Sequence, residues 1–200
     1  MIGSVKTGPV LKSTVDALTR LEYRGYDSFG VAVIGESIEV KKDIGSVSEK
    51  TAHGFFKGFR DGMVSVAHTR WATHGGVTKE NAHPHVSHDG AFAVVHNGVI
   101  ENYRDLKSDL EKSGVVFASE TDTEVIAHIL VEEFTKARNV RAAIRATAKR
   151  LKGEYALVIA TVHEPLRLYG ARRKSPLGVT LGSHGGMFAS DQRGVKVLIE

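Results

Sequence analysis

The sequence predicts an α+β domain in which helices pack outside β-sheets. Short apolar runs typical of strands lie toward both ends of the chain, and the clearest helical patterns lie between them. The 200 residues, of which 42% are hydrophobic, are enough for one domain with a buried core. No internal repeat, low-complexity tract or interior linker divides the chain, so residues 1–200 are treated as a single domain.

The chain is predicted to begin with a strand and a helix. Residues 2–5, Ile-Gly-Ser-Val, form a short apolar run typical of a strand. Pro9 suits the first turn of a helix, since proline lacks the N–H that an interior helical position needs. Leu11, Val15 and Leu18 then recur at i, i+4 and i+7, which is the spacing of one helix face.

A β-hairpin and a less regular segment follow. The strand-like runs 29–34 and 37–42 flank Gly35-Glu36, a plausible hairpin turn. Residues 47–59 are helical in pattern, although two glycines, Gly54 and Gly58, weaken that prediction. Further apolar strands are predicted over residues 63–67 and 92–95.

Three helices are predicted in the second half. The first, residues 102–113, stops at Gly114, a residue that readily takes the left-handed conformation. The second opens with Thr121 and Glu124 at capping-box spacing, and the third covers residues 140–151. The apolar face of the second helix comprises Ile126, Ile129, Leu130 and Phe134. The last quarter alternates turns with strands predicted over 155–162, 166–171, 178–181 and 187–189.

Charge and composition exclude several classes of function. Lys and Arg number 27 against 23 Asp and Glu, a net charge of +4. The densest basic clusters, 41–42 and 172–174, are short and lack interleaved aromatics, so we interpret them as solvated faces and expect no nucleic-acid partner. The sequence contains no cysteine, which rules out disulfides, thiolate metal sites and a thiol nucleophile within it.

No segment resembles a membrane or export signal. The first twenty residues have no apolar core long enough for a signal peptide. The longest apolar run, residues 155–162, is far too short to cross a bilayer. We therefore expect a cytoplasmic protein without a membrane partner.

The richest polar stretch is residues 68–75, His-Thr-Arg-Trp-Ala-Thr-His-Gly. Arg70, just past a predicted strand end, could bind a carboxylate through its planar guanidinium. An arginine paired with a surface aspartate is the simpler interpretation of that residue alone. Trp71, the only tryptophan, would by default be a core residue, and Thr73 and His74 would by default build a turn.

Two further positions allow both structural and functional interpretations. Asn97-Gly98 after a strand most often indicates a turn. An asparagine amide next to a glycine N–H also offers the two donors of an oxyanion hole. Asp122 would favour the positive end of a helix dipole, and it could equally bind a ligand's ammonium group.

The histidines raise the alternative of a metal-dependent hydrolase. Six of the ten lie within residues 68–96, and imidazole is a common metal ligand. Their spacings match no ligand motif, and no acidic residue completes a metalloprotease pattern. We therefore expect no metal and no cofactor. Ser175 and Ser190 lack the glycines of a nucleophile elbow, which argues against a serine triad.

Taken together, these motifs resemble the glutaminase domain of glucosamine-6-phosphate synthases (isomerising glutamine–fructose-6-phosphate aminotransferases), a class II glutamine amidotransferase. The resemblance covers essentially the whole chain and is specific because its motifs are long. They are the octapeptide Leu-Glu-Tyr-Arg-Gly-Tyr-Asp-Ser at 21–28 and the segments 68–75, 81–85, 94–103, 119–128 and 189–191.

The resemblance implies a fold and a set of roles. The fold would be the four-layer αββα sandwich of the N-terminal-nucleophile hydrolases, and the ligand would be L-glutamine. Arg70 would bind the α-carboxylate of glutamine, and Asp122 would bind its α-amino group. Asn97 and Gly98 would form the oxyanion hole. The remaining implied residues are Trp71, Thr73 and His74, which would line the pocket, and Arg24, which would support the N-terminal end of the site.

The family's chemistry depends on a cysteine as first residue, whose thiolate attacks the glutamine amide while its own α-amine serves as base. Members begin Cys-Gly-Ile-Val-Gly or close to it. Here Ile2-Gly3 matches the Val-Gly of that pattern, so Met1 stands at the third position and the Cys-Gly pair is absent. Neither the Met1 thioether nor Ser4, which lies within the first strand, can replace it. We expect this chain not to hydrolyse glutamine.

Two explanations for that absence stay open. In one, the natural protein starts two residues earlier, with a cysteine that becomes its first residue. In the other, the domain is a non-catalytic module that binds glutamine or regulates a partner. We favour the first, because buried polar groups such as Arg70 and Asp122 are costly without a ligand.

The resemblance also implies partners. The chain stops at Glu200, about where the family's first domain gives way to a linker and two sugar-isomerase domains. Those C-terminal domains would bind fructose 6-phosphate and receive the ammonia, so we expect this chain to be one part of a larger synthase. Assembly into a homodimer is left open.

Overall fold

The computed structural model describes residues 1–72 and 75–195. In chain order, the strands of these residues are β1 (Ile2–Lys6), β2 (Ser28–Ile34), β3 (Ile38–Ile44), β4 (Val64–Arg70), β5 (His85–Val86), β6 (Phe92–Ile100), β7 (Gly153–Thr161), β8 (Leu168–Arg173), β9 (Gly178–Gly182) and β10 (Gly185–Ala189). The helices are α1 (Leu11–Arg20), α2 (Val47–Ala52), α3 (Tyr103–Lys112), α4 (Glu124–Ala137), α5 (Val140–Arg150) and α6 (Gln192–Val195), with a 3₁₀ turn at Glu22–Arg24.

The strands form two antiparallel sheets. The first has six strands in the order β3-β2-β4-β1-β10-β9, and the second has four in the order β5-β6-β7-β8. The central strand β1 pairs with β4 on one side and with β10 on the other, so that Ile2 lies opposite Ala67 and Ala189. The two ends of the chain are thereby joined in one sheet.

Three apolar layers separate four layers of secondary structure. Alanine and valine side chains of β2, β4, β6 and β7 fill the space between the sheets. Helices α1 and α2 cover the outer face of the first sheet through Leu18, Phe29 and their neighbours. Helices α3, α4 and α5 cover the second sheet through residues such as Ile129 and Leu157. The αββα sandwich expected from the resemblance is confirmed, and so is the α+β class.

The predicted helix 47–59 is wrong beyond its first half. Helix α2 ends at Ala52, and turns occupy the residues that follow it. Gly54 and Gly58 have φ angles of 77° and 71°, a left-handed conformation that stops a helix. The aromatic residues of this segment, Phe55 and Phe56, instead pack edge-on against Phe29.

The predicted capping box is also wrong. Helix α4 begins at Glu124, and its N-cap residue Thr123 makes no side-chain capping bond. The Glu124 carboxylate accepts hydrogen bonds from the backbone N–H groups of Ala118 and Ser119 at 2.8 and 2.7 Å. This residue therefore fixes the segment before the helix, which carries Asp122.

Two strands are longer than predicted, and both extensions lead into the polar motifs. Strand β4 continues through Arg70, which is its last residue rather than one just past the strand end. Strand β6 runs through Asn97 and Gly98 to Ile100, so this pair lies within a strand and does not form a turn. None of the helices built by the described residues is long and apolar enough to span a bilayer.

Candidate active site

One cavity of about 370 Å³ opens where the two sheets meet, at the ends of β4 and β10 and along β6. Strands β4 and β6 reach it from different sheets, and the segment before α4 closes another side. The described residues expected to form the site all line this cavity: Arg24, Arg70, Trp71, Asn97, Gly98 and Asp122. The other two expected residues, Thr73 and His74, lie outside the described part of the chain.

The α-amine of Met1 lies in the same cavity. Met1 is 3% exposed, and its amine donates to the Ser190 hydroxyl at 3.2 Å. Burial lowers the pKa of this amine from 8.0 to about 5, and the nearby Arg24 charge adds to that effect. The amine is therefore neutral at pH 7 and able to accept a proton.

Arg70 is held by its own strand and by Asp27. The Asp27 carboxylate accepts the Ala72 N–H at 2.9 Å, and the Asp27 N–H donates to the Arg70 carbonyl at 3.1 Å. The guanidinium Nη1 donates to the Gly76 carbonyl at 3.1 Å. Burial lowers the pKa of Arg70, while the charges of Asp27 and Asp122 oppose that shift. The guanidinium thus remains cationic.

Asp122 contributes the opposite charge. Its Oδ2 accepts the Ile100 N–H at 2.7 Å, which fixes the carboxylate against the end of β6. Its Oδ1 accepts the Thr123 hydroxyl at 3.4 Å and lies 4.0 Å from the His96 ring. Asp122 and Arg70 are both buried, so a buried cation and a buried anion line one cavity. This pattern complements the carboxylate and the ammonium of an amino acid.

Asn97 and Gly98 provide hydrogen-bond donors beside these charges. Asn97 Oδ1 accepts from His68 Nε2 at 2.8 Å, which leaves the amide nitrogen of Asn97 as its donor. Gly98 has a φ of 123°, and a Cβ at that position would collide with the Glu154 carbonyl oxygen of β7. Only glycine suits this position, and its backbone N–H lies next to the asparagine amide.

Arg24 lies at the N-terminal side of the cavity. Its Nη1 forms an ion pair with Asp191 at 3.0 Å and donates to the Ser190 carbonyl at 3.5 Å. Tyr23 donates to the same Asp191 carboxylate at 2.8 Å. Gly25 allows this segment to approach β4, because a Cβ there would lie 2.7 Å from the Arg70 carbonyl carbon.

Trp71 was expected by default to be a core residue, and that interpretation is wrong. Its side chain is 59% exposed, so it is not a core tryptophan. Its ring lies 5.8 Å from that of Tyr26 at the mouth of the cavity. The pair forms an exposed apolar rim.

Three of the buried histidines have their rings in contact. The rings of His68 and His83 are 4.4 Å apart, and those of His83 and His85 are 4.8 Å apart. Burial lowers the pKa of His85 to about 3 and that of His96 to about 4, and it lowers those of His68 and His83 well below 6.5. Among residues 1–72 and 75–195, no His, Cys, Asp or Glu side chains form a group of three able to hold a metal ion. The metal hypothesis gains no support from the described histidines.

Sequence reasoning assigned no role to three residues that shape this site. His68 contacts the Asn97 amide, Ser190 contacts the Met1 amine, and Asp191 binds Arg24. The motifs at 68–75 and 189–191 include them, but their contacts arise from pairing across 29 to 189 residues of chain. No local pattern carries that information.

Known proteins share both the sequence and the fold. A family model described as a glutamine amidotransferase domain matches residues 68–196. Glutamine–fructose-6-phosphate aminotransferase (isomerising) of Aquifex aeolicus is 47% identical over 96% of this chain, and that of Pyrobaculum aerophilum is 50% identical over 87%. The matches cover 32% and 29% of those proteins, so the chain spans about a third of the length of these relatives.

Two solved structures are similar over 98% of the chain. Glutamine phosphoribosylpyrophosphate amidotransferase from B. subtilis, complexed with ADP and GMP, superposes with a TM-score of 0.83 at 25% identity. A structure described as the allosteric regulatory enzyme of purine biosynthesis gives a TM-score of 0.84 at 26% identity. The chain covers 43% of each of those proteins.

Proposed function

Because the chain belongs to the glutamine amidotransferase domain family, we propose that its cavity binds L-glutamine for hydrolysis to glutamate and ammonia. The observation that carries this proposal is the convergence of unlike charges and amide donors. Arg70, Asp122 and Asn97 come from three separate segments and line one cavity together with a buried α-amine. A lone surface arginine or a turn asparagine would not produce this arrangement.

In the proposed complex, the two ends of glutamine have separate partners. The guanidinium of Arg70 binds the α-carboxylate, and the carboxylate of Asp122 binds the α-ammonium. The side-chain amide of glutamine then points toward Asn97 and Gly98. Both charged residues are already held by backbone contacts, so little ordering is needed when the ligand binds.

Hydrolysis proceeds through a thioester. The α-amine of a first-residue cysteine takes the proton of its own thiol, and the thiolate attacks the amide carbon of glutamine. The resulting oxyanion is stabilised by the Asn97 amide and the Gly98 N–H. The intermediate collapses by breaking the C–N bond, ammonia leaves with a proton supplied by the α-amine, and a glutamyl thioester remains. Water then attacks the thioester, which releases glutamate and regenerates the thiol.

The printed sequence has no cysteine to carry out this step. We therefore propose that a polypeptide of this sequence binds glutamine without hydrolysing it. Two added residues reach about 7 Å, so a Cys-Gly pair ahead of Met1 would place its cysteine within the cavity that holds the Met1 amine. The second candidate is a glutamine-binding module without turnover, which would bind the same ligand through Arg70 and Asp122.

In the full-length protein, we propose that the ammonia is used to aminate fructose 6-phosphate. The relatives named for that reaction are about three times as long as this chain, so C-terminal isomerase domains would receive the ammonia. A cytoplasmic setting is part of the same proposal.

The test compares three polypeptides by glutamate release and by calorimetric titration with glutamine. They are the printed chain, a version with Cys-Gly ahead of Met1 as the exposed first residues, and a matched version with Ala-Gly. We expect all three to bind glutamine and only the Cys-Gly version to release glutamate.

Each other outcome has a definite meaning. Turnover by the printed chain or by the Ala-Gly version would contradict the thiol mechanism. Binding without turnover in all three would favour the non-catalytic module. Failure of all three to bind glutamine would contradict both candidates.

A further inference from the structure

His68 and Asn97 both line the cavity and contact each other, and the chemistry proposed above gives His68 no role. It joins the two sheets, since His68 lies in β4 and Asn97 in β6. His68 Nε2 and Asn97 Oδ1 are 2.8 Å apart. His68 is 5% exposed, and the residue opposite it in the neighbouring strand β2 is Gly30.

The Oδ1 atom of Asn97 faces the ring, and this contact requires one particular tautomer of His68. An amide oxygen only accepts hydrogen bonds, so His68 Nε2 must carry the proton of this contact. Burial lowers the pKa of His68 well below 6.5, so the ring is neutral, and with the proton on Nε2 its Nδ1 carries none.

That tautomer in turn stabilises the observed orientation of the asparagine amide. With Nε2 protonated, Oδ1 faces the ring and the amide nitrogen is left for the cavity. With the proton on Nδ1, two lone pairs would oppose each other at 2.8 Å, which favours a flipped amide. The flip would direct Oδ1, an acceptor, at the oxyanion that the cavity must stabilise.

The ring itself is held in place by packing. His83 stacks on it at 4.4 Å between ring centroids, with an interplanar angle of 31°. His83 is fixed by the second sheet, because its Nδ1 accepts the His96 N–H at 3.4 Å. His68 therefore has little freedom to rotate away from Asn97.

We propose that His68 is a positioning residue that orients the Asn97 amide so that its N–H groups face the developing oxyanion. It acts through Asn97 and does not itself touch glutamine. This inference rests on the proposed glutaminase function for its kinetic consequence, but its structural part stands on the hydrogen bond alone. Because the oxyanion exists only in the transition state, His68 should affect kcat far more than KM.

The kinetic test uses the Cys-Gly version of the chain. His68→Leu removes the donor, whereas His68→Gln keeps an amide N–H near the position of Nε2. We expect His68→Leu to lower kcat by about tenfold to a hundredfold with KM changed by less than about threefold, since loss of a whole oxyanion donor costs about 10²–10³. His68→Gln should recover most of kcat, and His68→Leu should cost nothing further in an Asn97→Ala background.

His163→Leu is the matched control, since that ring is stacked on Phe134 at 4.0 Å and does not line the cavity. It should leave kcat unchanged. An unchanged kcat in folded His68→Leu, or equal losses in His68→Gln and His68→Leu, would overturn the proposal while leaving the glutaminase function intact.

A second measurement needs no turnover. Imidazole ¹⁵N chemical shifts of the printed chain at pH 7, assigned by comparison with His68→Gln, should show a neutral ring protonated at Nε2. A ring protonated at Nδ1, or a doubly protonated ring, would overturn the proposal. If the Cys-Gly version failed to hydrolyse glutamine, the proposed function would fall, and the ¹⁵N shifts would still decide whether His68 orients Asn97.

Discussion

At the residue scale, the site depends on two buried charges that have separate structural supports. Arg70 ends β4 and is held by Gly76, whereas Asp122 is held by Ile100 at the end of β6. A buried charge is costly unless it is paired. Because Arg70 and Asp122 line the same cavity, a zwitterion bound between them would contact both charges at once.

Conservative substitutions of these two residues should therefore weaken glutamine binding. Arg70→Lys loses the planar fork that binds a carboxylate through two hydrogen bonds, and Asp122→Asn loses the charge that faces the ammonium. We expect each to raise the Kd for glutamine by about tenfold to a hundredfold, or about 1.4–2.7 kcal/mol. Calorimetric titration of the printed chain measures this without turnover.

Two exposed residues provide matched controls for that titration. Arg167→Lys and Asp109→Asn make the same chemical changes at positions outside the cavity. Both should leave the Kd unchanged. If Arg70→Lys and Asp122→Asn also left it unchanged, the roles proposed for these residues would be wrong.

At the scale of elements, strand β6 explains why the Asn-Gly pair is not a turn. It pairs with β7 along nine residues, from Phe92 opposite Thr161 to Ile100 opposite Gly153. Gly98, opposite Tyr155, and Gly153, opposite Ile100, are positions in this ladder where a Cβ would collide with a backbone carbonyl oxygen of the neighbouring strand. The ladder therefore overrides the local turn preference and presents Asn97 to the cavity.

Gly98→Ala should be strongly destabilising. The new Cβ would collide with a backbone carbonyl of β7, and the φ of 123° is unfavourable for alanine. We expect a loss of about 3 kcal/mol or more in the free energy of unfolding, measured by denaturant titration. Gly90→Ala is the control: its φ is 75° but no heavy atom lies within 4 Å of the added Cβ, so a loss of about 1 kcal/mol is expected. Equal losses in the two variants would show that close packing at Gly98 is not the cause.

An element could be predicted from the sequence where residues close together in the chain determine it. The hairpin of β2 and β3 and the stop of α3 at Gly114 were predictable, because a turn between two strand-like runs and a left-handed glycine act over a few residues. The positions of Glu124 and Asn97 were not, since each is fixed by partners that local pattern does not reveal. The site residues were identified only through the family resemblance, and their meeting in one cavity depends on pairings such as Ile2 with Ala189.

At the scale of the whole molecule, the sandwich buries several bases in neutral form. Burial lowers the pKa of the Met1 amine to about 5, of His96 to about 4 and of His85 to about 3, and it lowers those of His68 and His83 well below 6.5. The unfolded chain therefore takes up protons at a higher pH than the folded chain does. Stability is complete above the unfolded values of 8.0 and 6.5 and is lost as pH falls below them.

Acid should consequently destabilise the fold before its carboxylates titrate. Between about pH 5.5 and 5, the four histidines whose pKa is lowered make the unfolded chain bind up to about four more protons, and each contributes up to about 1.4 kcal/mol per pH unit. Denaturant titrations at a series of pH values measure this slope. His85→Gln should reduce the slope by about one proton, whereas a free energy of unfolding that stays constant from pH 8 to 5 would contradict the buried neutral histidines.

The most direct test of the account is an experimental structure of this chain with L-glutamine bound. We expect the α-carboxylate within hydrogen-bond distance of the Arg70 guanidinium, the α-ammonium at Asp122, and the side-chain amide directed at Asn97 and Gly98. Glutamine in the reverse orientation, or bound outside this cavity, would contradict it.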